Sequence, residues 1–269
     1  MAYLHENREE FENAVNLASK HFHILPVIVE KDYYVTMILR KLSEDQGFVV
    51  FKGGTSLSKC HKVIKRFSED IDITIDSKLS QGQMKNLKAS IKKIAAELGL
   101  SIPNIDETRS RRSYNRYVLE YQSVLPKPDD AVQTAVLMGT SFAEVSFPTV
   151  VLPVHNYIGD MMIEEAPEEL ENFYLNSFDM KVQGLDRTLA DKIFAICDYY
   201  MQGKVKKHSR HILLGIRALL YWMSLNRKQI LFQYRYCNVK NLKIYLYQIC
   251  RNSLKMYNDR AVRLLRKEC

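Results

Sequence analysis

No stretch of this chain approaches the roughly 18–20 consecutive apolar residues that a membrane-spanning helix needs. The start, MAYLHENREEFENA, is polar and acidic and lacks the apolar core of a signal peptide. The five cysteines (Cys60, Cys197, Cys237, Cys250 and Cys269) are scattered, odd in number and free of CxxC spacing. That pattern argues against a disulfide framework or a zinc site and for a reducing compartment, so a cytoplasmic location without membrane contact is expected. Internal repeats and low-complexity tracts are absent. So is a GxxxxGK[ST] phosphate loop, and no serine–histidine–acid signature points to a hydrolase.

What is present is a globular composition, 46% hydrophobic over 269 residues, enough for one large domain or two small ones. The net charge of +8 is unevenly spread. Residues 201–269 hold 16 Lys or Arg against Asp259 and Glu268, a net +14, while the first 200 residues carry 23 bases and 29 acids, a net −6. A basic tail beside a near-neutral body favours a polyanionic partner. Within it, YRYCNVKNLKIYLYQ interleaves tyrosines with Arg235, Lys240 and Lys243, as RNA backbone contact and base stacking require. A solvated helix face with inward tyrosines is the competing reading.

Hydrophobic spacing predicts helices over Glu6–His21, with Phe11, Ala14, Val15 and Ala18 on one face, and from Pro26 to Leu42. FVVF reads as a short buried strand feeding a glycine turn, and Thr55 or Ser56 as the cap of a short helix to His61. Ile71, Ile73 and Ile75 alternate with acids in a half-buried strand. Ser80–Leu98 is amphipathic and stopped by Gly99. From Ser101 to about Ile158 the texture is β; a short acidic helix follows Pro167, then a strand at FDMKVQ. Helices are expected after Gly184. The fold class is α+β: a mixed-sheet head over residues 1–184 and a helical, strongly basic region over 185–269.

The chemistry concentrates in FKGGTSLSKCHKVIKRFSEDIDITID, residues 51–76. Asp70 and Asp72 are two apart on the predicted strand and share a face, with Asp76 on the same side near its end. Paired carboxylates repel, and a hard cation between them, Mg²⁺ or Mn²⁺, compensates while leaving positions for water and phosphate. Lys52-Gly53-Gly54-Thr55-Ser56 upstream offers backbone N–H groups and hydroxyls to phosphate oxygens. Glu144, in the apolar-rich SFAEVSF, is the candidate third carboxylate, against the alternative of a solvent-facing residue on an open sheet. Lys192 lies off the apolar stripe of DRTLADKIFAI, near Asp191, and suits a phosphate. Lys206, Lys207, His208, Arg210 and His211 crowd a predicted helix start.

Assembled, the pieces VEKDYYVTMIL at 29–39, FKGGTSLSK at 51–59, RFSEDIDI at 66–73, AEVSF around Glu144, LDRTLADKIFAI at 185–196 and SRH at 209–211 resemble the AbiEii/MenT family of nucleotidyltransferase-like toxins of type IV toxin–antitoxin systems. The resemblance implies a polymerase-β-like head and transfer of a nucleoside monophosphate from an NTP, with tRNA the expected acceptor and a separately encoded antitoxin as restraint. On the family pattern Gly53, Gly54, Thr55 and Ser56 cradle the phosphates. Asp70 and Asp72 hold the metal with Glu144, and Lys192, helped by Lys59 or Arg210, neutralises the triphosphate. One position departs from the pattern: family members often carry an aspartate three residues after the SRH histidine, where this chain has Leu214. Asp191 and Asp198 are the nearest substitutes. Two other outcomes stay open, a nucleic-acid-binding protein that lost catalysis and an enzyme that modifies a protein hydroxyl.

Overall fold

The computed structural model describes residues 2–64, 68, 70–126, 133–188, 191 and 192, without the side chains of residues 143 and 144. The chain divides into two compact units, Met1–Leu219 and Leu220–Cys269, and every described residue belongs to the first. Most of the helical basic region expected over 185–269, with Arg210, His211 and Leu214, lies outside the described residues.

Six strands form one mixed sheet: β1 (Val49–Lys52), β2 (Ile71–Ile75), β3 (Tyr114–Glu120), β4 (Ala135–Val145), β5 (Thr149–Val154) and β6 (Phe178–Gln183). Their spatial order is β3-β4-β2-β1-β6-β5. β1 runs antiparallel to β2 and parallel to β6, and β2 runs parallel to β4; both outer pairs are antiparallel. The expected α+β head with a mixed sheet is therefore present. β2 is interior, which puts its acidic residues between two neighbouring strands.

Five helices lie wholly within the described residues, α1 (Arg8–Phe22), α2 (Pro26–Asp45), α3 (Gly53–Lys59), α4 (Gln81–Glu97) and α5 (Tyr157–Glu165), and the start of another follows Gly184. Asn7 caps α1, and Ser80 with Gln83 forms a reciprocal capping box on α4. α2 is the centre of the helical layer, packing on α1, α4, α5, β4 and β6. Its single expected apolar stripe is an underestimate, because Tyr33, Met37, Ile38, Leu39 and Leu42 are fully buried together with Glu30 and Lys31. Each such apolar side chain contributes about 1.5–3 kcal/mol on burial. Ile71 and Ile73 of β2 join this core.

Three charged residues in a row inside a buried helix need partners, and each finds a different one. Glu30 accepts hydrogen bonds from Ser123 Oγ and Val124 N, both at 2.7 Å. Lys31 Nζ donates to Gln133 O at 3.1 Å. Asp32 pairs with Lys59 at 2.5 Å and accepts from Tyr157 N at 3.1 Å. One turn of α2 thus ties down two loops, α3 and α5.

Three expectations are corrected. The helix after the glycines begins at Gly53, with Lys52 in the capping position and no side-chain cap; Thr55 and Ser56 lie inside it. The β texture ends at Val154, and Tyr157–Glu165 is helical because Asn156 Oδ1 accepts from Gly159 N at 2.7 Å and Asp32 receives Tyr157 N. After Pro167 only a 3-10 turn forms, Pro167–Glu169.

Candidate active site

Alternation along β2 turns Ile71 and Ile73 to the helical core and Asp72 to the opposite face. In register, Asp72 stands between Lys52 of β1 and Gly139 of β4. The carboxylate fits there because both neighbouring backbones are bare. A Cβ on Gly139 would come within 2.9 Å of Asp72 Oδ1, and a Cβ on Gly53 would overlap Asp72 Oδ2 outright. Gly53 also adopts φ +85°, which side chains other than glycine rarely tolerate.

Burial raises the Asp72 carboxyl above the ordinary range; Lys52 and Lys192 oppose that, and the charge of Asp70 reinforces it. A desolvated carboxylate with a second acid nearby and cations on either side is the electrostatic pattern of a site that binds charge. Asp70 is exposed, immediately before β2, and its carbonyl accepts from Thr55 Oγ1 at 2.5 Å. The strand expected to carry both aspartates thus holds only Asp72, and Asp70, just before it, acts on Asp72 through its charge. Asp76 points elsewhere in function: it pairs with Lys181, whose ammonium also donates to Gly47 O at 2.8 Å.

Asp72 opens into a cavity of about 290 Å³, lined also by Lys52, Gly53, Tyr114, Gly139 and Ser141 and, on the far wall, by Gln183, Asp191 and Lys192. That wall is held by one buried amide. Gln183 Oε1 accepts from Ser146 Oγ at 2.8 Å, while its Nε2 donates to Thr188 Oγ1 at 3.1 Å and to Asp191 Oδ2 at 3.0 Å. Arg187 Nε completes Asp191 at 2.9 Å. The network sets the start of the helix that carries Lys192 beside the sheet.

The remaining sequence candidates fall in different places. Thr55 and Ser56 are buried, and their hydroxyls are engaged internally, Thr55 with Ser68 and Asp70 and Ser56 with Gly53 O at 2.9 Å. Only the backbone of this segment is open to a phosphate. Lys59 lines a second cavity, of about 330 Å³, with Asp32, Ser58, Lys62, His155 and Tyr157, and its ammonium is paired with Asp32. Glu144 belongs to β4, in the stretch after Thr140 where the register with β2 breaks before Val145; its side chain lies outside the described atoms. Arg210 lies outside the described residues.

Gln183, Tyr114, Ser141 and Gly139 were not anticipated. Gly139 carried a signal, an isolated glycine inside a strand, which marks close backbone approach. Gln183 ended a predicted strand and announced nothing.

An Mg²⁺ or Mn²⁺ ion fits the donor set as far as it is described. Asp70 and Asp72 would supply oxygen ligands, and the cost of burying Asp72 charged is what a cation would relieve. Among the described residues no group of three or more His, Cys, Asp or Glu converges.

No curated protein sequence matches the chain. Among solved structures it is similar to MenT4, a nucleotidyltransferase toxin from Mycobacterium tuberculosis H37Rv, with 17% identity and a TM-score of 0.45 over 68% of this chain. The match spans 58% of the MenT4 chain, so this protein covers little more than half of that relative's length. The family model described as nucleotidyl transferase AbiEii toxin, type IV toxin–antitoxin system, matches residues 38–213. That span takes in the glycine turn, the paired aspartates, β4 and Lys192, and the chain belongs to the AbiEii nucleotidyl transferase toxin family.

Proposed function

We propose that the protein transfers a nucleoside monophosphate from an NTP to an RNA acceptor, with tRNA the acceptor class, and that a cognate antitoxin restrains it in the cytoplasm. The observation that carries this reading is the convergence of Asp72, Gly53 and Lys192 on one cavity of about 290 Å³, with the charge of Asp70 acting on Asp72 from just before β2. The reaction forms a bond from an acceptor hydroxyl oxygen to the α-phosphorus and breaks the α–β phosphoanhydride. Pyrophosphate leaves and the hydroxyl proton is released.

Asp70 and Asp72, with Glu144 as third carboxylate, would hold the divalent ion, whose chemistry is to lower the acceptor pKa and neutralise the leaving pyrophosphate. Gly53 and Gly54 leave backbone open beside the phosphates, with Thr55 and Ser56 holding that turn in shape. Lys192, oriented by the Gln183–Asp191 network, places a cation where negative charge grows; Arg210 would add to it from the basic region. Lys59 serves the triphosphate indirectly, by fixing α3 against α2. The residues 1–184 act as the catalytic head and 185–269 as the helical, basic region that faces nucleic acid.

The test is incubation of the purified protein with each labelled NTP, Mg²⁺ and total tRNA. RNase-sensitive label that disappears with Asp72→Asn supports the reading. RNase-resistant label that runs with protein would move the acceptor to a protein hydroxyl. Salt-sensitive tRNA binding without any labelled product would make the chain a binding protein.

A further inference from the structure

Beside the cavity, the approach to β3 carries four arginines and a tyrosine in eight residues: Arg109, Arg111, Arg112, Tyr114 and Arg116, all exposed. No Asp or Glu interrupts them, although Asp106 and Glu107 precede them. Among the described residues none of the four arginines is in an ion pair. Arg112 donates only to the backbone carbonyl of Glu107, and Arg109 to those of Asp106 and Thr108.

The segment is built as a fixed platform. Asn115, 4% exposed, clamps it from beneath, its Oδ1 accepting from Arg109 N at 2.8 Å and its Nδ2 donating to Arg109 O at 2.9 Å. Lys88 of α4 donates to Thr108 O at 2.9 Å. Asn104 satisfies the outer edge of β3, donating to Arg116 O at 2.8 Å and accepting from Val118 N at 3.0 Å. The backbone is therefore held in place, and none of the four guanidinium groups is neutralised by a carboxylate among the described residues, those of Arg109 and Arg112 being tethered only to backbone carbonyls. That is preorganisation for binding rather than for the fold.

Its position gives the ligand. Tyr114 is 55% exposed and also lines the Asp72 cavity, its hydroxyl 3.3 Å from where a Cβ on Gly139 would stand. Arg116 shares a cross-strand row with Gly139 and Asp72. Two strand spacings, about 10 Å, separate the Arg116 and Asp72 backbones. Forked guanidinium groups match phosphate oxygens, and an exposed ring beside them is a stacking surface for an unpaired base.

We propose that the Arg109–Arg116 platform docks the single-stranded end of the RNA acceptor, its arginines on backbone phosphates and Tyr114 stacked on a base at the cavity. This rests on the transfer reading for its choice of RNA, but it is tested without any transfer. Binding of fluorescent total tRNA to the full chain is measured from 50 to 300 mM salt with NTP omitted. Arg111→Glu/Arg112→Glu should weaken binding at least about tenfold at low salt and flatten the log–log salt slope by about 1.4, since each phosphate contact on a single strand contributes ~0.7. Tyr114→Ala should weaken binding on the order of tenfold with the slope unchanged, because stacking releases no counterions.

Thermal melts confirm folding, and single Arg111→Glu replaces the double variant if that one does not fold. Wild-type affinity and slope in the arginine variant would overturn the inference, as would a wild-type protein that does not bind tRNA. So would variants that keep RNA binding but lose capture of the co-expressed antitoxin, which would make the platform a protein interface. Weakened binding in a protein that transfers no nucleotide leaves the docking surface standing and removes the transfer reading. Transfer to RNA with unaltered binding does the reverse.

Discussion

The carboxylate of Asp72 occupies the space a side chain on Gly53 would need. This relation joins the glycine turn to β2 as one unit, because any side chain on Gly53 would have to displace Asp72. Gly53→Ala faces both the overlap and the positive φ. It should cost about 1–3 kcal/mol in stability and, by displacing Asp72, abolish nucleotide transfer. Gly139→Ala has only a 2.9 Å approach to relieve and no positive φ. It should lose activity with a smaller shift in the urea midpoint, and equal effects of the two substitutions would contradict this account.

Asp72→Asn separates stability from activity. Burial raises the Asp72 pKa above 3.8, so its contribution to stability is fully present below the unfolded value and is lost as pH rises through the folded one. The variant, without the charge, should match wild type at low pH and become relatively more stable toward neutrality in chelator. Mg²⁺ should raise the melting temperature of wild type and leave the variant unmoved. Transfer should fall by more than the roughly 10–100-fold typical of residues lying behind metal ligands.

Asp76 has the opposite sign. Burial opposes ionisation there, but hydrogen bonds from Lys181 and Ser77 and the Lys181 charge prevail and lower its pKa. Its stabilisation is present above 3.8 and disappears as pH falls through the depressed value. Lys181→Met should therefore destabilise at neutral pH and approach wild type in strong acid, with transfer unaffected. A denaturation series across pH 2–7 reads both effects.

The Lys59–Asp32 pair is almost wholly enclosed, with side chains 7% and 9% exposed. Lys59→Met leaves Asp32 buried without its cation and should cost about 3–5 kcal/mol. Adding Asp32→Asn should recover part of that loss, since the amide oxygen still accepts from Tyr157 N. If Lys59 acts only through the fold, the folded double variant keeps the wild-type KM for NTP. A KM raised tenfold would return Lys59 to direct phosphate contact.

Gln183→Ala removes the amide that Ser146, Thr188 and Asp191 share. The buried Ser146 hydroxyl loses its acceptor, which should cost about 1–3 kcal/mol. The helix start bearing Lys192 loses an anchor at the same time, so kcat should fall further than stability explains. Gln183→Glu, which keeps the acceptor for Ser146 but sets a carboxylate against Asp191, should be worse for activity than for folding.

Much of this protein is legible locally. The alternation of Ile71, Ile73 and Ile75 places Asp72 on the far face of its strand by geometry alone, and Ser80 with Gln83 announces the start of α4. The helix at Tyr157 was hidden because its first amide is received by Asp32, 125 residues away. Asp32 and Lys59 look like surface charges in sequence, and only their meeting inside the fold makes them a buried pair.

Residue types and their short-range spacing determined that the chain carries a glycine turn, a strand that holds Asp72 on its polar face and a basic end, because turn chemistry and side-chain alternation act within a few residues. Tertiary structure decided the rest. It chose Gly139 and Gly53 as the walls around Asp72, turned the Thr55 and Ser56 hydroxyls inward, sent Lys59 to a different cavity and set Tyr114 at the rim of the Asp72 cavity. Those outcomes depend on strand order and register, which bring together atoms far apart in the chain and which no local pattern encodes.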